Sequence, residues 1–468
     1  MIRMGFNDDV TAAAERIAAA EEVTIISHID ADGITSEAIL AEAVKRVGIP
    51  ATSHYIRQLD PLTIRTVPEN RSLKVFVDLG AGQQNLLEER GLSVDEVLIA
   101  DHHVAQPATL LYQQVNGVPY GHTRLSAAGV AYLIAKEMDQ KNTDLASVAV
   151  VGNVGDMMAR ETLGLTGIAR TIVDDGVANG SIRATARDLN CYGTSTRPIH
   201  VCLSYNDDPL LPGISNDISG SLRFLQKIGI PLKTRDGRWR VWEELDPDEK
   251  RAITSALVQQ LLAHGEPVDR LFAETYVFPN EAVRTPLRNA SEFATVLNAC
   301  GRWARPLVGS AICRGDRGTQ YREAEYMLSN HRTIIRELLT YIVETGVTEL
   351  SHLQYLHVGD RFPDTIIGIG AGMALSKLNW RKPILIMCTL PDDPTQTKVS
   401  MRTNEWAVRQ GVDLQAVLTA ASATIGGAGG GHPIAAGAFI PHDVEEEFVY
   451  CVNRLLGEQF AVPDQNHR

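Results

Sequence analysis

The sequence predicts an α/β protein: an N-terminal domain with a mostly parallel sheet flanked by helices, an inserted α+β segment, a long linking helix and a C-terminal α/β domain. Three observations lead there. Between Val23 and Met157, short runs of β-branched residues alternate with segments of helical period, the pattern of a parallel sheet covered by helices. Four of these segments end in Asp or His side chains, and in such sheets ligand sites lie beyond the carboxyl ends of the strands. After a helical stretch from Glu323 to Thr345, the alternation begins again at Gln354. A chain of 468 residues is also too long for one ordinary core. The expected divisions are 1–215 for the N-terminal domain, 216–325 for the inserted segment, 326–350 for the linking helix and 351–468 for the C-terminal domain.

Taken in order, Ala12 to Ala20 is an Ala-rich helix, and Val23-Thr24-Ile25-Ile26 is a strand because β-branched residues replace the helical pattern. Gly33 punctuates His28-Ile29-Asp30-Ala31-Asp32, and Ser36 to Val47 is helical, stopping at Gly48 and Pro50. Segments near Ser53 to Ile56, Lys74 to Val77 and Glu96 to Ala100 read as strands, with a helix at Gln84 to Arg90 closed by Gly91. Leu125 to Met138 has apolar residues at helical spacing. Asp144 to Met157 reads as a further helix, its Val run leaving a strand open. Arg170 to Arg187 looks helical, and Pro198, Pro209 and Pro212 mark an irregular stretch. Beyond it come a helix near Asp248 to Ala263, a strand at Thr275 to Val277 and the block Ala290 to Arg302. In the last domain, strands are expected at Gln354 to Val358, Asp364 to Ile369, Pro383 to Cys388 and Lys398 to Arg402, with helices at Gly372 to Leu378 and Leu414 to Ala421.

Composition narrows the function. With 44% hydrophobic and 22% charged residues and no long apolar run, the chain reads as globular and cytoplasmic, without a membrane span or signal peptide. Its six cysteines are scattered with no C-x-x-C pair, against a zinc ribbon or redox dithiol. A net charge of −13 means that a nucleic-acid partner needs a local basic groove or metal ions offsetting the acidic residues. The five tryptophans, Trp239, Trp242, Trp303, Trp380 and Trp406, are expected to pack in cores or interfaces rather than to stack bases.

The chemistry concentrates at the segment ends. Val97 to Ala100 delivers Asp101-His102-His103, Val23 to Ser27 delivers His28, Asp30 and Asp32, Val75 to Val77 delivers Asp78, and Ala149 to Val151 leads to Asp156. One Asp after a strand is most often a turn former or helix cap. Four such ends together form a set of hard and borderline ligands suited to Mn2+, Mg2+ or Fe2+ rather than structural zinc, with Mn2+ favoured. So many carboxylates call for two divalent cations about 3.5–4 Å apart, with Asp78, alone at its strand end, as the bridge. Far along the chain, Gly426 to Gly431 holds five glycines before His432, a run that permits close approach to a ligand. His432 reads as a phosphate contact, and Arg402 as a bidentate one.

These residues resemble the DHH phosphoesterases, named for the triplet found here as Asp101-His102-His103. The motifs His28-x-Asp30-x-Asp32-Gly33, Asp78, Asp101-His102-His103, Gly152-Asn153-Val154-Gly155-Asp156 and Gly429-Gly430-Gly431-His432 stand in that family's order, the last within the domain called DHHA1. Length and the block Glu292 to Arg302 resemble the RecJ-type nucleases, most of all the archaeal RecJ or GINS-associated nuclease. Bacterial RecJ usually carries Asp where His28 stands, a departure shared with the archaeal form.

The resemblance implies a DHH domain, an inserted segment, a linking helix and a DHHA1 domain. It also implies a two-metal exonuclease that hydrolyses single-stranded nucleic acid to mononucleotides in replication and repair. Degradation of single-stranded DNA from 5′ to 3′ is favoured, with RNA from 3′ to 5′ open. Asp30 and Asp78, with His28, would hold one ion; Asp32, Asp78, His102 and Asp156 would hold the other. Asp101 would orient His102, and His103 would face the phosphate. Arg402, His432 and the three glycines would grip the strand, and part of residues 216–325 would contact the GINS complex and so the replicative helicase. The rivals are a phosphodiesterase acting on short oligonucleotides or cyclic dinucleotides, and a replisome scaffold.

Overall fold

The computed structural model describes residues 5–61, 63–106, 109–390 and 393–460. Its contacts divide into two compact units, Met1–Leu328 and Ser329–Arg468. The first opens with helix α1 (Phe6–Ala18), strand β1 (Val23–His28), helix α2 (Ala31–Arg46), β2 (Ala51–Ile56), β3 (Leu73–Val77), α3 (Gln84–Glu89), β4 (Val97–Ala100) and β5 (Gln113–Val115). The five strands form one sheet in the order β2-β1-β3-β4-β5, with every pairing parallel. Side chains of period two divide its core: Ile25, Val75 and Leu98 face α1 and α2, while Ile26, Phe76 and Ile99 face α3 and the loop beside it. The sheet is therefore covered on both faces, as its continuous apolar strands require.

Two helices complete that core, α4 (Ala127–Met138) and α5 (Ala146–Gly155). The Val run of α5 is buried on all sides, between α2, α4 and the helix that follows, which explains why its sequence lacks an amphipathic signature. Helix α6 (Ile168–Ala178) ends at Asn179-Gly180, and the chain then forms strand β6 (Arg183–Leu189). The single helix expected over Arg170 to Arg187 is thus corrected. Gly180, at a φ of +77°, turns the chain, and Arg183 to Leu189 is extended because it pairs with a strand far along the chain. No local pattern announces that partner.

A small satellite core follows, built from α7 (Ile199–Ser204), α8 (Ile218–Lys227), α9 (Pro247–Ala263) and β7 (Phe272–Val277), with Leu203, Leu225, Leu257 and the buried Trp242 at its centre. β7 pairs antiparallel with β6. Helices α10 (Ala290–Arg302) and α11 (Pro306–Cys313) return to the main core, where α10 packs against α2 and α5. Helix α12 (Thr319–Thr345) gives Ala324, Met327 and Leu328 to the first unit and Leu338 and Ile342 to a core of the second.

The second unit comprises β8 (Thr348–Glu349), β9 (Gln354–His357), α13 (Asp364–Ala374), β10 (Ile384–Thr389), β11 (Gln396–Arg402), α14 (Glu405–Arg409), α15 (Leu414–Thr424), β12 (Ala428–His432), β13 (Ala435–Pro441) and α16 (Glu445–Phe460). Its six strands run in the order β12-β13-β11-β10-β9-β8, with only β9 and β10 parallel among the pairings. Two expectations fail here. Asp364 to Ile369 is not a strand but the start of α13, and the helix expected at Gly372 to Leu378 is the tail of α13 with a short 3-10 turn. The β-branched Thr365-Ile366-Ile367 suggests a strand, yet Pro363 caps a helix whose Gly368 and Gly370 let it lie against Arg402 and Leu338. Packing overrides propensity. Among the described residues, no helix is long and apolar enough to cross a membrane.

One contact decides how α10 sits on the β1–α2 turn. A Cβ added at Gly301 would lie 1.8 Å from the Ile29 carbonyl oxygen, so only glycine allows that approach. Gly301→Ala is therefore expected to lower the unfolding free energy by about 1–3 kcal/mol in a urea titration. Gly430→Ala, where an added Cβ meets nothing within 4 Å, should leave it unchanged to within about 0.5 kcal/mol.

Candidate metal centre

Strands β1, β3 and β4 of the parallel sheet, with helices α2 and α5, each deliver one part of a cluster. β1 ends at His28, and Asp30 caps α2, its Oδ1 accepting from the Gly33 amide at 3.0 Å. Asp32, in the first turn of α2, is buried and accepts from the Ala127 and Ala128 amides at 2.8 and 3.0 Å, the first two of α4. Those amides carry the positive end of a helix and suit a carboxylate. Asp78 follows β3 in the left-handed region, at a φ of +60°. Asp156 caps α5.

The six side chains form two groups, His28 with Asp30 and Asp78, and Asp32 with His102 and Asp156; the ligand atoms within each lie within 4.8 Å of one another. Asp78 also reaches the second group through His102, with which it forms a further cluster that includes Asp101 and His103. Its Oδ2 lies 3.2 Å from His28 Nδ1, and its Oδ1 lies 3.3 Å from His102 Nε2. His28 Nδ1 is also 3.1 Å from Asp30, and His102 Nε2 is 3.4 Å from Asp156 and 3.8 Å from Asp32. Although three carboxylates surround it, His102 Nε2 is buried without a hydrogen bond of proper geometry. An orphaned ring nitrogen facing carboxylate oxygens fits the first coordination sphere of a cation, and the oxygen-rich set suits Mn2+ or Mg2+.

The electrostatics agree. Burial pushes the Asp156 carboxyl from 3.8 up to about 8, aided by the Asp32 charge. Burial and the charges of Asp30 and Asp32 hold the Asp78 carboxyl well above 3.8, and burial raises Asp32. Burial opposes the remaining two shifts, yet His28 rises beside Asp30 and Asp78, and Asp30 falls through its contacts with His28 and Gly33. Without cations, the cluster keeps protons that exposed carboxyls would release.

Asp101 has a different partner from the one expected. Its Oδ1 lies 2.8 Å from His103 Nδ1 and accepts from the His102 amide at 2.7 Å, while Oδ2 accepts from the Ala81 amide at 3.0 Å. It orients the ring of His103, not that of His102, because the turn after β4 folds residues 102 and 103 back over the buried carboxylate. The Asp101 bond raises the pKa of His103, whose ring is 52% exposed.

The residues expected to bind substrate lie in the second unit. Arg402 and His432 both stand in register with Ala435, on β11 and β12. The Arg402 guanidinium is largely buried, and Nη1 donates to the carbonyls of Met401 at 2.8 Å and Ala436 at 3.3 Å. Burial lowers its pKa. The glycine run forms edge strand β12. Gly429 abuts the Leu418 carbonyl, Gly431 takes a φ of +138°, and Gly430 alone of the three faces open space. At the other end of β11, beside Thr397, His357, His442 and Glu445 also cluster. The Gly359 amide donates to His357 Nδ1 at 2.9 Å, which leaves the proton on Nε2 to bond Glu445 at 3.0 Å, so this is a hydrogen-bond network.

Sequence reasoning missed Asn298 and Arg302. Asn298 Oδ1 accepts from the Ala31 amide at 3.0 Å, fixing the turn that carries Asp30 and Asp32. Arg302 is close enough for Asp30 to act on its charge. The only available signal was their place in the block Glu292 to Arg302. The glycines of the Asp156 segment serve packing: a Cβ at Gly152 would lie 2.8 Å from Asp32 Oδ1, and one at Gly155 would lie 2.9 Å from the Ala31 Cβ.

A parallel sheet gathering Asp and His at its strand ends, followed by a mixed-sheet domain, is matched by three family models. These are the DHH family N-terminal domain over residues 22–153, the DHH-CID domain over 191–273 and the DHHA1 domain over 352–458. The chain belongs to the DHH family. Within it, the fold is of RecJ type. The RecJ of Thermus thermophilus in complex with Mn2+ superposes with a TM-score of 0.59 at 15% identity, over 99% of this chain and 56% of its own. CDC45 of Entamoeba histolytica gives 0.65 at 12% identity, over 97% and 98%. By sequence, an uncharacterized protein of Methanocaldococcus jannaschii is 26% identical over 449 residues, 93% of this chain and 94% of its own. The single-stranded-DNA-specific exonuclease RecJ of Bacillus subtilis is 25% identical over 186 residues, 34% of this chain and 23% of its own. The chain thus spans about half of the first RecJ and a quarter of the second.

Carboxyls raised on folding make stability fall with pH. Between 3.8 and about 8, Asp156 keeps a proton that the unfolded chain has lost, and Asp78 and Asp32 act in the same direction. Cation-free protein should lose roughly 1.4 kcal/mol of unfolding free energy per pH unit for each retained proton. Denaturation at pH 5 and pH 8 checks this. Addition of Mn2+ at pH 7 should release protons, seen as a buffer-dependent heat in calorimetry.

Proposed function

We propose that this protein is a metal-dependent, single-strand-specific exonuclease that hydrolyses nucleic-acid phosphodiester bonds to mononucleotides. It would act in the cytoplasm in DNA replication and repair, degrading single-stranded DNA from 5′ to 3′ by preference. The observation that carries this reading is Asp78, whose two oxygens face the two separate ligand groups. His28, Asp30 and Asp78 would hold one divalent cation, and Asp32, Asp78, His102 and Asp156 the other, with Mn2+ favoured and Mg2+ the substitute. Such cations would supply the positive charge that polarises a phosphodiester and favours ionisation of water.

The chain's own groups do the rest. Asp101 holds the Nδ1 proton of His103 and favours the charged ring, so Nε2–H turns outward as a donor to a phosphate oxygen and can pass its proton to the departing one. Arg302, beside Asp30, adds a positive charge at the edge of the cluster. In the second unit, His432 and Arg402 are about 10 Å apart by interstrand spacing, and with Gly429, Gly430 and Gly431 they would hold the strand. The family resemblance to the archaeal GINS-associated nuclease and the CDC45-like fold support a GINS complex and the replicative helicase as partners, met through residues 216–325.

A second reading, a replisome scaffold without catalysis, draws on the same CDC45 likeness; the intact ligand set weighs against it. The test is hydrolysis of matched 20-mer DNA and RNA single strands, labelled at either end, with Mn2+, Mg2+ or chelator. A ladder from one end that needs the cation is expected, and Asp78→Asn, which suits the left-handed turn, should reduce it by at least ~100-fold. A variant with full activity would falsify the assignment, and a cation-loaded protein that cleaves neither strand would favour the scaffold.

A further inference from the structure

The satellite core of the first unit carries a pocket that the metal centre does not use. It has a volume of about 500 Å³ and lies between β6 and the N-terminal half of α9. β6 contributes Arg183 and Arg187, and α9 contributes Lys250 and Arg251; Phe272 and the buried indole of Trp242 form an apolar wall. Four cations in one concavity are conspicuous in a chain of net charge −13. Two of them are in effect unused. The Arg187 guanidinium lies 5.1 Å over the Phe272 ring and Lys250 Nζ lies 5.3 Å over Trp242, and among the described residues neither has a carboxylate partner. The pocket's acidic groups are engaged: Glu243 pairs with Arg183 and Arg288, while Asp188 accepts from the Trp242 indole at 2.7 Å and Thr275 at 3.1 Å.

We infer that this pocket binds nucleotide phosphate. Its volume suits a ligand of nucleotide size, Arg187 and Lys250 supply unpaired positive charge, and the half-buried Phe272 ring adds an apolar surface for a base or sugar. An extended acidic peptide has no comparable need of a concavity with an aromatic ring beside the cations. Pocket and metal centre are joined by α10. At one end, Glu292 accepts from the amide of Ser195, a residue of the pocket, at 2.9 Å; at the other, Gly301 meets the β1–α2 turn. The helix rises about 1.5 Å per residue, so the two lie on the order of 14 Å apart along it, a span of two or three nucleotides. The ligand is thus either the strand undergoing hydrolysis or a free mononucleotide, and the assignment rests on the nuclease reading for its ligand class.

The test uses the full chain with Ca2+ in place of Mn2+, measuring anisotropy of a labelled 20-mer DNA strand, competed by dTMP or poly-glutamate. The variants are Arg187→Glu, Lys250→Glu and the pair, all surface charge reversals remote from the metal ligands. The double variant is expected to bind the 20-mer at least ~10-fold more weakly, with a shallower dependence on salt. It should still hydrolyse bis(p-nitrophenyl) phosphate with Mn2+ at the wild-type rate. Competition by dTMP that the double variant abolishes identifies a free nucleotide as the ligand, and absence of competition identifies the strand. Unchanged affinity in the double variant overturns the inference, as does competition by poly-glutamate but not by dTMP. Wild-type protein inactive on every phosphodiester defeats the nuclease reading alone, since the binding comparison is read without hydrolysis.

Discussion

Mutual repulsion among Asp30, Asp32, Asp78 and Asp156 is the constraint around which the N-terminal unit is built. Two like charges 4 Å apart repel by about 4 kcal/mol at an effective dielectric of 20, and burial adds to that. Most of the polar architecture nearby opposes this repulsion. The first amides of α4 meet Asp32, the Gly33 amide meets Asp30, and His28 and His102 stand between the carboxylates. These contacts suffice for Asp30, whose carboxyl titrates low, and not for Asp78 or Asp156, whose carboxyls are pushed up by burial and by their charged neighbours. The deficit of positive charge that remains is what a divalent cation would fill.

The sheet and its ligand-bearing ends were legible because the signals are local. A fully apolar strand such as Val97 to Ala100, ended by Asp101, reads the same in sequence and in structure. Where the outcome depends on distant contacts, the reading failed. β6 is a strand only through β7, and α13 is a helix despite its isoleucines because its glycines let it settle beside Arg402. The same reason hid Asn298 and Arg302, which matter only once α10 is seated on the β1–α2 turn. The partner of Asp101 was misjudged on a smaller scale: adjacent histidines are equivalent in sequence, and the tight turn after β4 separates their roles.

The second unit shows how far a motif can be read without its backbone. Gly429-Gly430-Gly431-His432 reads in sequence as a run that permits close approach to a ligand, and in the structure it is a paired edge strand in which each glycine has a separate reason. Gly429 admits α15, Gly431 takes a conformation that a side chain resists, and Gly430 is left bare. Arg402 is likewise more constrained than a surface cation. Held by two backbone carbonyls and largely desolvated, it is fixed in place before any ligand arrives.

The glycines at 152, 155 and 301 have a consequence for ion choice. They are the points where α5 and α10 come closest to the α2 segment without a side chain of their own: Gly301 lies against the Ile29 carbonyl, Gly152 against the side chains of Thr35 and Asp32, and Gly155 against the Ala31 methyl. A cage of that kind has little room to breathe. Mg2+ and Mn2+ would sit closer to their oxygens than Ca2+, which takes about 2.3–2.6 Å and a looser shell. Selection of a cation by its radius would therefore depend on three absent side chains as much as on the carboxylates that would face the ion.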